Sequence, residues 1–192
     1  MIIDLIRTLH DGFFGTLERL TRGWFLGLAA RFVFAGVLMI YYLHSASLKV
    51  GSGFIGFFQP SFSAYIQILT EQVMVNYDLE IANVPLYLKL VVYMGTYAEF
   101  LLPILIVIGM FTRVAAFGMI IFILVQSYVD INFLGVDAAT IGALFDRDPS
   151  SAIVDQRTLW IFVLLVLVIK GAGTISVDRI LSGLFPRHSH SA

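Results

Sequence analysis

Four apolar stretches constrain the fold of this chain more than any other feature of its sequence. They cover residues 24–43, 86–110, 114–129 and 152–171. A helix that crosses the hydrocarbon core of a bilayer needs roughly 20 mostly apolar residues. The first two stretches reach that length, the third is shorter, and the fourth reaches it only with charged residues near its start. The pattern predicts an all-α transmembrane four-helix bundle in a single domain over residues 1–192.

The composition agrees with a membrane location. Hydrophobic residues make up 59% of the chain and charged residues 13%, whereas a soluble domain carries about 25% charged residues. The formal net charge of -1 gives no reason to expect nucleic acid as a partner. The chain has no cysteine, which excludes thiolate nucleophiles and cysteine-ligated iron–sulfur or zinc centres. We therefore expect the lipid bilayer to be its main partner.

Two segments outside the apolar stretches have the spacing of amphipathic helices. In residues 2–22, apolar side chains recur at helical intervals with charged side chains between them, which is typical of a helix in the membrane interface. Packing of this helix on another protein surface is the alternative. Residues 62–73, in the first outer connection, show the same spacing and predict a second interfacial helix. Residues 182–192 are expected to form a tail.

The distribution of Lys and Arg predicts the orientation of the chain. With the N-terminus inside, the inner segments carry Arg7, Arg19, Arg22, Arg113, Lys170, Arg179 and Arg187. The outer segments then carry Lys49, Lys89, Arg147 and Arg157. Because cytoplasmic loops hold an excess of Lys and Arg, the larger inner set predicts that both termini lie in the cytoplasm.

Two charged residues fall well inside the predicted spans, Arg31 in the first and Glu99 in the second. A charge exposed to lipid costs about 3 kcal/mol, so both side chains are expected to face the interior of the bundle. At 1.5 Å per residue, Arg31 lies about 10 Å and Glu99 about 16 Å from the inner ends of their helices. This difference is within reach of an arginine side chain. We therefore predict that Arg31 and Glu99 form an ion pair or a proton-handling site.

Two interpretations of Arg31 and Glu99 stay open at this stage. In the structural one, the two side chains pair and fix the register of helix packing. In the functional one, they form the floor of a pocket or a site at which Glu99 titrates near neutrality. Polar residues with matching helical spacing are the candidate lining of such a pocket: Tyr42, Ser45, Lys49, Thr96, Gln126 and Asp130.

Motifs for self-contained catalysis or metal binding are not found in the sequence, so no catalytic residue is identified and no metal site is expected. The stretch KGAGTISVD at residues 170–178 lacks the GxGxxG pattern, and its glycines are interpreted as a helix stop followed by a turn. His44 has no second histidine at a matching depth, because the other three lie in the terminal segments. Neither haem nor an iron–sulfur cluster is therefore expected.

Three segments together resemble the DoxX family of small bacterial membrane proteins. They are HSASLKV at 44–50, AEFLLPILIVIGMFTRVAA at 98–116 and KGAGTISVDRIL at 170–181, and the resemblance extends over most of residues 24–182. The chain departs from that family's pattern in its longer outer connections and in Ala172, where a proline is common. The positions that match the family signature are Arg31, Lys49, Glu99, Arg113 and Asp178.

The resemblance implies a four-helix protein of the bacterial inner membrane. Some members of that family are associated with quinone-linked oxidation of sulfur compounds or with oxidative-stress complexes. The first hypothesis is therefore a membrane subunit that binds a small or lipid-like ligand, with quinone as the candidate cofactor and a subunit of a redox complex as the candidate partner. A non-enzymatic scaffold or assembly partner is the alternative, and a small proton-coupled transporter is the third. Whether the chain belongs to an enzyme is left open.

Overall fold

The computed structural model describes residues 2–184, and this part of the chain is helical apart from turns, loops and one isolated antiparallel bridge between Val50 and Pro60. The helices are α1 Ile2–Thr21, α2 Phe25–Ser47, α3 Gly53–Gly56, α4 Phe62–Leu69, α5 Glu71–Val75, α6 Leu86–Ile108, α7 Thr112–Phe133, α8 Ala138–Ile141, α9 Val154–Lys170 and α10 Val177–Leu184. The predicted all-α class is confirmed. Of the predicted tail, residues 182–184 belong to α10, and residues 185–192 lie outside the described residues.

Three helices are long and apolar enough to cross a membrane, namely α2, α6 and α7. They correspond to the first three predicted spans, and α7, with 22 residues, is longer than its apolar stretch indicated. α9 has 17 residues, a length of about 26 Å at 1.5 Å per residue, against roughly 30 Å for the hydrocarbon core. It packs against α2 and α7. The fourth span, and with it the four-helix bundle, stays a prediction.

α2 is a single helix with an irregular middle. A π-helical turn at Ala35–Met39 interrupts its α-helical hydrogen bonding. Such a turn adds a residue to the helix and changes the direction in which the following side chains point. Leu38 within the turn and Tyr42 just after it are both buried. The π turn therefore contributes to the placement of the polar side chains in the second half of α2.

α6 ends in a Schellman motif at Gly109. This glycine adopts the left-handed conformation with φ 74 and ψ 42, and the Met110 N–H donates to the Leu105 carbonyl at 3.0 Å. A Cβ at residue 109 would lie 2.6 Å from the Cβ of Ser176 and 2.9 Å from the Cζ of Arg31. Glycine is thus required here both by the backbone and by the close approach of two neighbouring segments.

Two clusters of buried apolar side chains hold the helices together. The larger cluster lies between α2, α6, α7 and α9 and includes Phe34, Leu38, Ile106, Met119 and Leu164. The smaller lies where α4 and α5 pack on α6 and includes Ala64, Tyr65, Leu69, Met74 and Val92. Many other apolar side chains of the three long helices are exposed, which suits surfaces that face lipid tails.

The two segments predicted as interfacial helices differ in their surroundings. α1 has no buried residue, and its apolar side chains from Ile2 to Leu20 are exposed. The segment 62–73 forms two short helices rather than one, because Thr70 adopts a left-handed φ of 73 between α4 and α5. Leu69 is buried in the cluster against α6. The location of these helices in a membrane interface stays a prediction.

Candidate functional site

The charged and polar side chains considered for a site fall into two separate regions. The first, which we name the Arg31 cluster, lies where α2 and α7 begin and α6 and α9 end, and it consists of Arg31, Arg113 and Asp178. The second, which we name the polar layer, lies toward the opposite end and consists of Tyr42, Lys49, Glu99, Asp130 and Arg157. All five positions that match the DoxX signature belong to one region or the other.

The guanidinium of Arg31 is bound by backbone carbonyls. Its side chain is buried, and it donates to the carbonyls of Ile106 at 3.1 Å, Ala172 at 3.1 Å and Ile175 at 2.5 Å, and also to that of Val107. The last carbonyls of a helix lack intrahelical partners. Arg31 therefore satisfies the end of α6 and, with the same group, attaches the segment that follows α9 to it.

Asp178 and Arg113 also bind helix ends. The Asp178 carboxylate accepts hydrogen bonds from the N–H groups of Phe111 at 2.7 Å and Thr112 at 3.0 Å, at the start of α7. A carboxylate at this place is favoured by the free N–H groups and by the helix dipole. Arg113 donates to the carbonyl of Ile169 in the last turn of α9, at 3.3 Å. The Arg31 cluster thus binds helix ends through backbone groups.

Glu99 forms a buried ion pair with Lys49. The Lys49 Nζ lies 2.5 Å from the Glu99 Oε2, and the two side chains are 8% and 2% exposed. Lys49 also donates to the Ser45 hydroxyl at 3.0 Å. The pair connects the end of α2 to the middle of α6. Pro103, one turn further along α6, has no N–H to donate to the Glu99 carbonyl, which loosens the helix at this point.

The predicted ion pair between Arg31 and Glu99 is wrong, because each side chain has different partners in the structure. The depths of the two residues along their helices predicted the pair. The free carbonyls at the end of α6 attract the Arg31 guanidinium instead. Lys49 lies two residues beyond the end of α2 at Ser47, and its long side chain reaches Glu99. Lys49 was predicted as pocket lining and as a family-signature position, but not as the partner of Glu99.

A second ion pair, between a buried arginine and a partly buried aspartate, connects α7 and α9. The Arg157 Nη2 lies 2.5 Å from the Asp130 Oδ2, and the Arg157 Nη1 donates to the Ser127 hydroxyl at 2.9 Å. Asp130 was a predicted lining residue, whereas sequence reasoning placed Arg157 at the membrane interface and missed its role. The available signal was an arginine at the start of the fourth apolar stretch, whose partner the sequence does not identify.

The polar layer contains hydrogen-bonding groups without a partner among the described residues. Tyr42 is fully buried, and its hydroxyl, like that of the equally buried Thr96, is unpaired. The Arg157 Nε and the Gln126 Oε1 are unpaired as well, while the Gln126 Nε2 makes a long contact of 3.4 Å with the Tyr41 hydroxyl. Buried polar atoms in native proteins are nearly always satisfied. The layer therefore has spare capacity to bind a polar group.

An apolar groove lies beside the polar layer, between α2 and α9. It encloses about 280 Å³ and is lined mainly by apolar side chains of the two helices, including Val33, Val37, Leu38, Leu159 and Trp160. The Trp160 ring lies 5.6 Å from that of Tyr41 and 6.3 Å from that of Tyr42. The π turn of α2 contributes Val37 and Leu38 to the wall, and π turns are frequent at functional sites.

The predicted lining residues differ in the contacts that they make. Ser45, Lys49 and Glu99 are joined by hydrogen bonds. Gln126 and Asp130 contact different partners, and Tyr42 and Thr96 are buried with unpaired hydroxyls. Within residues 2–184, no group of three or more His, Asp or Glu side chains is placed to hold a metal ion.

Comparison with known proteins identifies one family. The model of the DoxX family matches residues 78–129, a segment that spans α6 and most of α7 and includes Glu99 and Arg113. No curated protein and no solved structure matches the chain. The match confirms the resemblance that the sequence predicted, and it covers residues 78–129 of this chain.

Proposed function

We propose that the chain is a membrane subunit that binds a small amphipathic molecule between α2 and α9, with a quinone as the first candidate. The observation that carries this proposal is the buried and unpaired hydroxyl of Tyr42, whose ring lies 6.3 Å from that of Trp160 in the wall of an apolar groove. Ligand sites are mostly apolar with a few polar groups that fix orientation. The groove and the polar layer together have this composition.

The groove suits the tail of such a ligand. Its lining is apolar except for Gln156, and it is open to the side, since Val37 is 60% and Leu159 is 64% exposed. In a bilayer these residues face lipid tails, so an isoprenoid or acyl chain enters without passing through water. The tail would lie along α2 beside the π turn.

The polar layer suits a neutral head group with acceptor oxygens. Both carboxylates of the layer are already paired with cations, Glu99 with Lys49 and Asp130 with Arg157. A charged head group would therefore leave a charge without compensation. The free groups include the Tyr42 hydroxyl and the Arg157 Nε–H, and quinone carbonyls accept hydrogen bonds from such donors. With no cysteine in the chain, electrons would reach a quinone from a partner subunit of a redox complex.

Quinone binding is tested with the purified full chain in detergent. Trp160 lines the groove, and the chain has one other tryptophan, so quenching of tryptophan fluorescence by a decyl-substituted benzoquinone reports binding. We expect Tyr42→Phe to weaken binding about tenfold, because one hydrogen bond is lost. Filling the groove with Val37→Trp, read by quinone retained after gel filtration, should abolish binding.

Tyr128→Phe is the matched control, because Tyr128 is an exposed tyrosine on α7 and its loss should leave binding unchanged. Equal affinity for quinone in wild type, Tyr42→Phe and Val37→Trp would contradict the proposal. Mass spectrometry of lipids extracted after gentle solubilisation identifies the natural ligand, with a quinone or another neutral amphipathic lipid expected.

A non-enzymatic scaffold is the second candidate, and the observation that favours it is α1. This helix exposes its apolar side chains from Ile2 to Leu20 and buries none of them. It therefore offers a surface to a bilayer interface or to another protein. Co-purification of a protein that is lost on deletion of residues 1–22, with quinone binding absent in the full chain, would favour the scaffold.

A further inference from the structure

We infer a second binding site, independent of the proposed function: the Arg31 end of the bundle binds the phosphate head group of an anionic phospholipid. A cavity of about 230 Å³ lies there, between the end of α9 and the start of α10, and its polar lining includes Lys170, Thr174, Asp178, Arg179 and Ser182. The polar layer and the groove lie elsewhere in the bundle and share no residue with this cavity.

Charge is the first argument for an anion at this site. Lys170 and Arg179 line the cavity, both are exposed, and neither side chain has a hydrogen-bond or ion-pair partner within residues 2–184. Behind the cavity, the buried Arg31 donates to the carbonyls of Ala172 and Ile175 in the adjoining loop. With Lys170 and Arg179 in the lining and Arg31 behind it, the cations outnumber the acidic residues of the cavity, so their mutual repulsion is relieved when an anion binds.

Two further charged residues, Arg113 and Asp178, lie at the cavity or next to its loop. A Cβ at Gly171 would lie 3.3 Å from the Arg113 Nε, so that guanidinium borders the loop. Asp178 is the one acidic residue in the cavity lining, and its two oxygens accept hydrogen bonds from the N–H groups of Phe111 and Thr112. Its negative charge is thus partly offset by the start of α7. The balance around the cavity is positive.

The apolar surface next to the cavity is the argument for a lipid rather than a soluble phosphate. Three isoleucines lie between or next to the lining residues in the sequence, and their side chains are largely exposed. They are Ile169, Ile175 and Ile180, with exposed fractions of 65%, 67% and 63%. Lys170 ends a helix that is apolar over most of its length. A phospholipid satisfies both features, because its phosphate contacts the cations while its acyl chains cover the isoleucines. Cations at such a boundary attract anionic lipids.

The test is a lipid titration of the delipidated full chain, followed by native mass spectrometry. Phosphatidylglycerol should bind more tightly than phosphatidylcholine to wild type. In Lys170→Gln/Arg179→Gln we expect this preference to fall about tenfold or more, because two cations near the head group are lost. Arg147→Gln is the matched control, since Arg147 is an exposed cation distant in sequence from the cavity, and it should keep the preference.

A charge-retaining variant and a measurement of folding serve as further controls. The variant Lys170→Arg/Arg179→Lys retains both charges and should retain the preference, while far-UV circular dichroism checks that the glutamine variant is folded. An unchanged preference in the folded glutamine variant would overturn the site. Inorganic phosphate that displaces phosphatidylglycerol at equal concentration would overturn the assignment to a lipid. Loss of quinone binding in Tyr42→Phe bears on the groove alone and leaves this site untouched.

Discussion

The two polar regions of the bundle differ in what their charged side chains bind. In the Arg31 cluster, the partners of Arg31, Arg113 and Asp178 are backbone carbonyls and N–H groups. In the polar layer, carboxylates pair with cations, and several neighbouring donors and acceptors remain unpaired. Helix ends always present free backbone groups, so a charged side chain placed there can form hydrogen bonds with them. In the middle of the helices the backbone is already bonded, and the unpaired side chains there support the proposed ligand site.

The largest expected effect comes from breaking the ion pair of the polar layer. Glu99→Leu leaves the Lys49 ammonium buried without its partner, which should lower the free energy of unfolding by about 3–5 kcal/mol. In the double variant Lys49→Met/Glu99→Leu both charges are removed, and stability should return close to that of wild type. Denaturant unfolding in detergent micelles, followed by circular dichroism, measures both variants.

The same two variants also show whether the ion pair serves ligand binding or the fold. If the double variant is stable but no longer binds quinone, the pair serves the site rather than the fold. A double variant as unstable as the single one would show that the pair holds α2 and α6 together. The polar layer, like the Arg31 cluster, would then serve to hold helices together.

Arg31→Met is expected to have the next largest effect. Four carbonyls lose a donor, and at roughly 0.6 kcal/mol for each hydrogen bond in a membrane protein the free energy of unfolding should fall by about 2–3 kcal/mol. Arg113→Met is the matched control, because its single bond to Ile169 predicts a loss below about 1 kcal/mol. Equal losses in the two variants would argue against a special role of Arg31 at the helix ends.

The smallest effect concerns pH and lies outside the membrane-spanning helices. The N–H and hydroxyl of Thr140 donate to the Asp137 carboxylate at the start of α8, and these hydrogen bonds lower the pKa of Asp137. The stabilisation is therefore present above the ordinary pKa of an aspartate and is lost as the pH falls through the lowered value. Hydrogen exchange at residues 138–141 should accelerate in acid, beyond the intrinsic pH dependence of exchange.

Thr140→Val provides the contrast for this measurement, because it removes the hydroxyl donor and keeps the backbone one. The pKa of Asp137 should then move back toward its ordinary value, as measured by nuclear magnetic resonance titration. An unchanged titration curve would assign the lowered pKa to the backbone hydrogen bond alone. Thr140→Val should leave the two polar regions unchanged, because they lie within and at the ends of the long helices.

The sequence predicted the long helices and the family resemblance, but not the partners of the charged side chains in either region. The apolar stretches predicted α2, α6 and α7, and the segment after Glu99 predicted the DoxX relationship. The partners of Arg31 and Glu99 could not be predicted, because free backbone carbonyls leave no mark in a pattern of side chains. Arg157 was missed for a related reason, since its partner Asp130 lies in a different stretch of the chain.

The long apolar helices can be predicted from the sequence alone. Few charges lie among them, because lipid excludes isolated charges. Short motifs at helix ends predicted the DoxX resemblance, which the family model matches over residues 78–129. The tertiary structure alone decided which charges pair, since pairing depends on how the end of α2 meets the middle of α6 and how α7 meets α9. It also decided that Tyr42 is buried beside a groove at the π turn, because that position depends on packing between segments distant in sequence.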